Sequence, residues 1–182
     1  NVRVTGEQQI RGSVFGAYTT DNPAAISGNN VTVTDHSIVK QNIYGGHAKV
    51  SGNEASAIAN SNHVDVSNSR VENSSSFISA GNIFGGRAYV KGNQTAAAKA
   101  NDNSVTVSDH STVDEDIRGG RAEASGNQTA AAEANNNSVD VFNSTAKGIY
   151  GGYAYIEGNG NQTAAAEASG NSVTVSGSTV DG

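Results

Sequence analysis

The sequence contains no cysteine, methionine or tryptophan, and one proline among 182 residues. Without cysteine there is no disulfide framework, and a narrow repeat protein does not need one. Aromatic residues make up 5%, charged residues 15% and hydrophobic residues 35% of the chain, so a conventional core of Leu, Phe and Met cannot be assembled from it. No apolar stretch approaches the length of a membrane span, so this segment is not expected to insert into a membrane. Basic residues are scarce and scattered: eleven Lys and Arg stand against seventeen Asp and Glu, for a net charge of −6. Phosphate contacts need clustered Lys and Arg, so nucleic acid is not an expected partner. No signal peptide is visible, but the chain opens at Asn1. It reads as an excised or processed piece of a longer protein, and the missing signal says nothing about secretion.

Gly, Ser, Asn, Thr and Ala fill the remainder. Such a composition invites an assignment of disorder, but the Val, Ile and Ala fall at regular places. The motif Asn-x-Val-x-Val or a near form recurs six times, with valine pairs Val2/Val4, Val31/Val33, Val64/Val66, Val105/Val107, Val139/Val141 and Val173/Val175. A second motif, apolar-x-Gly-Gly-x-Ala, recurs at 43–48, 83–88, 117–122 and 149–154, with a degraded copy at 14–17. A third, Gly-Asn-Gln-Thr-Ala-Ala-Ala, occupies 92–98, 126–132 and, after an inserted Gly-Asn, 160–166. Three motifs in one fixed order are the signature of a tandem array.

First valines are separated by 29, 33, 41, 34 and 34 residues. The unit is therefore about 34 residues long, with length changes confined to loops. The long interval arises between Val66 and Ile83, 17 residues against 10 between Val107 and Ile117, and its surplus is a Ser-rich loop at 72–81. The whole chain, 1–182, is one domain with repeats at about 14–42, 43–82, 83–116, 117–148 and 149–182.

Within each unit three segments alternate with period two, the strand signal. In 138–141 the two valines share a face opposite Asp140; in 130–134 Ala130, Ala132 and Ala134 share a face opposite Glu133; in 153–156 Ala154 and Ile156 face inward and Tyr153 and Tyr155 outward. The alanine segment has helical propensity, but seven residues between Gly and Asn are too few for a stable helix. The expected fold is an all-β parallel β-solenoid (β-helix), with three short strands per rung and one rung per repeat, Val stacking on Val and Ala on Ala. Asn side chains should form amide ladders at the corners. Two shorter rungs of about 17 residues per repeat are the alternative, and right-handed winding is the default for parallel crossovers.

The strings Asn171-Ser-Val-Thr-Val-Ser-Gly-Ser-Thr-Val-Asp-Gly182 and Ile149-Tyr-Gly-Gly-Tyr-Ala-Tyr155 resemble the repeats of autotransporter adhesin passengers, type V secreted proteins of Gram-negative bacteria. The resemblance covers nearly the whole chain and is weakest over 21–27 and 72–81. It implies a parallel β-helix stalk at the bacterial cell surface, held by an outer-membrane anchor in a C-terminal region beyond this segment, or secreted. It further implies roles in adhesion, aggregation or biofilm. The implied partners are a host or bacterial surface glycan or protein, or another copy of the chain. Trimeric autotransporter heads also use Asn-Ser-Val strings, with a much shorter repeat that fits this spacing poorly.

Candidate chemistry is thin. Asp114-Glu115-Asp116 is the densest carboxylate cluster and could hold a cation or act as paired acid and base, but its counterparts, 39–42 and 146–148, place it in a connecting turn. Asp35-His36-Ser37 and Asp109-His110-Ser111 hold the residue types of a catalytic triad, yet neighbours in one turn do not generally reach triad geometry. Neither a calcium repeat, a His/Cys ligand set nor a phosphate loop is present, so no metal and no cofactor is expected. Asn-x-Ser/Thr sequons at Asn73, Asn93, Asn127, Asn143 and Asn161 are expected by chance in this composition. The surface offers more: after each Gly-Gly the outward positions read His47, Arg87, Arg121, Tyr153 and then Lys49, Tyr89, Glu123, Tyr155, two ladders of rings and cations that form a candidate binding face. Cross-strand packing is the plainer use of the same residues. The expected function is a non-catalytic extracellular scaffold or adhesin stalk. A self-assembling fibre subunit and a carbohydrate-active β-helix enzyme are the alternatives.

Overall fold

In the computed structural model, which describes residues 1–74, 80–157 and 163–181, every regular element is a β-strand and every pairing is parallel. The core of the Ser-rich loop (75–79), the inserted Gly-Asn and the sequon residue Asn161 lie outside the described residues. The valine motifs stack in register into a six-stranded sheet, with Val2, Val31, Val64, Val105, Val139 and Val173 paired in turn. One repeat is therefore one rung. The second sheet is a single hydrogen-bonded surface that bends around the other sides of the solenoid. It contains the diglycine stack, the alanine stack and a further short stack. The diglycine and alanine segments run on without a break in Ile43–Asn60 and Ile83–Lys99.

The short stack is a fourth segment that the three-strand expectation lacked. Gln9–Ile10, Ile38–Val39 and Arg70–Val71 align with 112–113, 145–146 and Thr179–Val180. Its pairing covers two residues per rung, separate in the first three copies and running on into the diglycine strand in Thr112–Ser125 and Thr145–Glu157, and it sends one apolar side chain inward, as Val39, Val71, Val113 and Ala146 do. The alanine segments are strands, as in Thr129–Glu133, with Ala130, Ala132 and Ala134 buried on one face.

The interior divides into two lobes. One is built of Val and Ile from the valine, short and diglycine stacks, the other of Ala and Val from the alanine stack and the far half of the diglycine strands. Fully enclosed valines such as Val64, Val105 and Val139 each contribute about 1.5–3 kcal/mol by leaving water. Small alanines let the second lobe be thin.

Between the lobes runs a ladder of asparagines. Each residue of the series Asn29, Asn62, Asn103, Asn137 donates through Nδ2 to Oδ1 of the next, at 2.9–3.0 Å, ending on Asn171. The same Oδ1 also accepts the backbone N–H of the preceding member at 2.9–3.2 Å. Asn62, Asn103 and Asn137 are 1% exposed, so these amides survive in the core because they satisfy one another. The ladder explains the diglycine. A Cβ on Gly46 would come within 2.7–2.8 Å of the Asn62 amide, and one on Gly86 within 2.4 Å of both Asn103 Oδ1 and the Ala59 carbonyl oxygen. Only glycine lets the strand close on the ladder and pinch the two lobes apart.

A second ladder joins Asn60, Asn101, Asn135 and Ser169, each Oδ1 accepting from the backbone N–H one rung later at 2.8–2.9 Å. Its polarity is opposite to that of the first. Buried Ser37, Ser69, Ser111 and Ser144 mark the corner after the valine strand. That corner turns through left-handed residues, Asp35 and His36 at φ 59° and 60° and Asp109 and His110 at φ 56° and 63°.

Candidate functional site

The diglycine strands carry the surface that singles out one face of the solenoid. Ile43 and Ala48 are both fully buried although five residues apart, an odd separation that strict alternation would not allow. Gly45 and Gly46 both face the asparagine ladder, and this reverses the phase of the strand. The side chains on the side away from the ladder are Tyr44, His47 and Lys49; Tyr44 and His47 are covered by the rings of neighbouring rungs and Lys49 is exposed. In-register pairing repeats that set on successive rungs and creates three columns.

The first column is Phe15, Tyr44, Phe84, Arg118 and Tyr150. Phe15 stacks on Tyr44 at 4.8 Å between centroids and 4° between planes, and Tyr44 on Phe84 at 5.0 Å and 8°. The Arg118 guanidinium continues the pile, 5.6 Å from the Phe84 ring centre and 5.1 Å from that of Tyr150. This column escaped the sequence reading, although its signal was present: the residue before each Gly-Gly is always a ring or an arginine.

The second column is Tyr18, His47, Arg87, Arg121 and Tyr153; the third runs through Lys49, Tyr89, Glu123 and Tyr155. All eight residues expected in two ladders stand in two neighbouring columns, in the expected order. Their environments differ. Lys49 is exposed, whereas His47 is 8% exposed. The His47 ring stacks on Tyr44 at 4.8 Å and meets Tyr18 edge-on at 5.3 Å, and neither ring nitrogen has a hydrogen-bond partner. Burial, with Arg87 and Lys49 adding repulsion, pushes its pKa down to about 3. His47 is therefore a neutral ring at ordinary pH, a brace for the columns and not a cation on them.

Glu123 ties the central arginines together. Arg87 Nε donates to its Oε1 at 2.9 Å and an Arg121 Nη donates to its Oε2 at 3.0 Å. Burial lowers the Arg121 pKa, and Glu123 opposes the shift. The face is thus a cross-braced array in which stacked and edge-on rings alternate with guanidinium groups held within about 6 Å of ring centres.

The carboxylate run lies elsewhere and is not in a turn. Asp114, Glu115 and Asp116 lie within the strand Thr112–Ser125 and are half-buried. Asp116 pairs with Arg118, Glu115 accepts from Lys147 at 2.9 Å and from Asn73 Nδ2 at 3.0 Å, and Asp114 accepts from the Asn73 N–H at 3.0 Å. The hydrogen bond from Lys147 is the main cause that holds the Glu115 pKa below its usual value. The start of the Ser-rich loop docks here and covers the carboxylates, which the sequence comparison of turns could not foresee.

The Asp-His-Ser strings follow the turn geometry. Ser37 is fully buried, and Ser111 Oγ donates to the Ser108 carbonyl oxygen at 2.6 Å, inward from its own histidine. Asp35 accepts from Thr5 Oγ1, and His36 Nε2 lies 3.3 Å from Asn68 Nδ2. No group of three or more His, Cys, Asp or Glu able to hold a metal ion is found among the described residues.

No family model, no curated protein and no solved structure matches this chain.

Proposed function

We propose that the chain is a non-catalytic extracellular scaffold, a stretch of adhesive stalk on a bacterial surface protein, that presents one ring-and-cation face on a stiff solenoid. The observation that supports this is the set of three in-register columns on the diglycine sheet. Fourteen positions share one surface at a rung spacing of about 4.8 Å, and the backbone beneath the three inner rungs is hydrogen-bonded on both sides. A ligand meeting such a face encounters anchors whose ordering cost was met when the protein folded. The lobes beneath are filled with Val, Ile and Ala, so the solenoid offers its ligands a surface and not an internal cavity. The autotransporter resemblance of the repeats supplies the proposed setting, at the cell surface through an outer-membrane anchor or secreted.

The reading is tested in two steps. Antibody against the chain should label intact host cells, and labelling only after permeabilisation would overturn the extracellular assignment. The chain is then fused to an outer-membrane anchor on a non-adherent bacterium. Adhesion or autoaggregation should rise several-fold over the anchor alone and fall when Tyr18, Tyr89 and Tyr155 of the face are changed together to Ser. An unchanged response to that triple variant would remove the recognising role of the face.

A further inference from the structure

The third column continues, at its N-terminal end, into an open groove of about 380 Å³ bordered by Tyr18, Thr20, Lys49, Ser51, Tyr89 and Lys91. We infer that this groove, as the recognising part of the scaffold face proposed above, binds a linear acidic polysaccharide. The residues come from three successive rungs, so the groove follows the solenoid axis for about 10 Å, and its volume lies in the range of about 300–1,000 Å³ typical of small-ligand sites.

Three features select the ligand class. Tyr18, 52% exposed, and Tyr89 present ring surface to the groove, and a ring binds the C–H face of a sugar without needing a deep pocket. Thr20 and Ser51 add hydroxyls that match sugar hydroxyls as donors and acceptors. Lys49 and Lys91 add positive charge: no carboxylate lines the groove, and among the described residues neither lysine is in an ion pair. In a chain of net charge −6, an unmatched cationic pair beside two rings stands apart. Elsewhere on the face the cations are already engaged, Arg87 and Arg121 by Glu123 and Arg118 by Asp116. Lys49 Nζ lies 5.8 Å from the centre of the Tyr89 ring, so ring and charge meet the same stretch of ligand. A neutral glycan would use the rings alone. An acidic peptide would use the lysines but would find no apolar pocket for side chains.

The probes are polygalacturonate for carboxylated chains, dextran sulfate for sulfated chains, neutral dextran, and a single-stranded oligothymidylate. Binding to the 182-residue chain is measured by titration calorimetry in about 0.15 M salt, where long-range attraction between exposed charges is screened. At least one acidic polysaccharide should bind. Tyr89→Ala and the pair Lys49→Gln/Lys91→Gln should each weaken it about tenfold. Lys99→Gln, on the alanine face, should leave it unchanged. Both groove variants alter only outward side chains, and circular dichroism checks their fold. The inference is overturned by any of four results: no acidic polymer binds, dextran or the oligonucleotide binds as tightly, Tyr89→Ala has no effect, or Lys99→Gln weakens binding as much as the lysine pair. Cell-surface labelling is read separately, so loss of the groove with labelling retained would leave the scaffold reading standing.

Discussion

Asn103 is the place where the architecture can be broken with one atom group. Its Oδ1 accepts two hydrogen bonds, from the Asn62 backbone N–H and from Asn62 Nδ2, both at 3.0 Å, and its own Nδ2 donates to Asn137 Oδ1 at 3.0 Å. Asn103→Ala leaves both Asn62 donors without an acceptor in a region that water does not reach. Asn137 Oδ1 keeps the Asn103 backbone N–H, so the damage points toward the N-terminal side. Each orphaned buried donor costs about 1–3 kcal/mol, giving about 2–6 kcal/mol in all. Asn103→Asp is the sharper version. One carboxylate oxygen can replace the accepting Oδ1, but the other faces Asn137 Oδ1 where an N–H belongs, and a charge has entered the core. Burial and that oxygen contact raise the aspartate pKa in the folded state above its unfolded value of about 3.9. Measured against the parent at the same pH, the variant is then least impaired below that value, where the acid can donate as the amide did. Its deficit grows as pH rises through the folded pKa. The assay is urea unfolding followed by far-ultraviolet circular dichroism, together with amide hydrogen exchange. Because repeat arrays can open locally, exchange is the decisive measurement. The Asn62 amide should lose protection in Asn103→Ala while the Asn137 amide, bonded to Asn171, keeps it. Equal protection of Asn62 in parent and variant, or an Asn103→Asp deficit that does not change with pH, would refute the ladder as a source of stability.

Gly86→Ala should destabilise by about 3 kcal/mol or more, since its Cβ meets backbone and amide oxygens at 2.4 Å, whereas Gly12→Ala, with open space around it, should stay within about 0.5 kcal/mol in the same urea titration. Ala132→Leu overfills the thin lobe and should cost about 1–3 kcal/mol, a loss that Glu133→Gln on the opposite face, a half-buried ion-pair partner of Lys99, should not approach. For His47, the folded pKa of about 3 lies below the ordinary 6.5, so the unfolded chain binds the proton first as pH falls. Its contribution is present above about pH 6.5 and declines by up to about 1.4 kcal/mol per unit down to about pH 3. His47→Phe should flatten that part of the pH–stability curve, and an unaltered slope would show that the ring is not buried neutral.

The stacks legible in the sequence are those with at least two inward apolar residues at period two. Val105 with Val107, and Ala130 with Ala132, announce both strand and face, and their partners on other rungs follow from the repeat. The short stack was invisible for the same reason: Val71 or Val113 alone is one apolar residue between polar neighbours and defines no period. The phase reversal at Gly45-Gly46 could be seen only once Asn62 was known to fill the space where their side chains would point. A corner amide was expected, but its position between two lobes depends on how the rung closes. On the candidate face, two of three columns were legible because Arg87 and Tyr89 alternate in step with Ala88. Phe84 lies on the far side of the reversal, and extending the alternation backward from Ala88 gives the wrong facing for it. The covering of Asp114–Asp116 depends on a loop from another rung, contact information that a comparison of equivalent turns does not contain.

The asparagine ladder also acts as a frame marker. Successive members are separated by 33, 41, 34 and 34 residues, yet every step makes the same pair of hydrogen bonds. A length error introduced in one rung is thus cancelled before the next begins, because the chain cannot re-enter the pinch except with an Asn opposite its diglycine. Between these checkpoints the loops are free to vary, and the rung between Asn62 and Asn103 has already used that freedom to host a longer loop. Segments grafted at the 72–81 position should therefore change the cargo of one rung while the rungs above and below keep their alignment, much as a spacer between two punctuation marks leaves the reading frame intact.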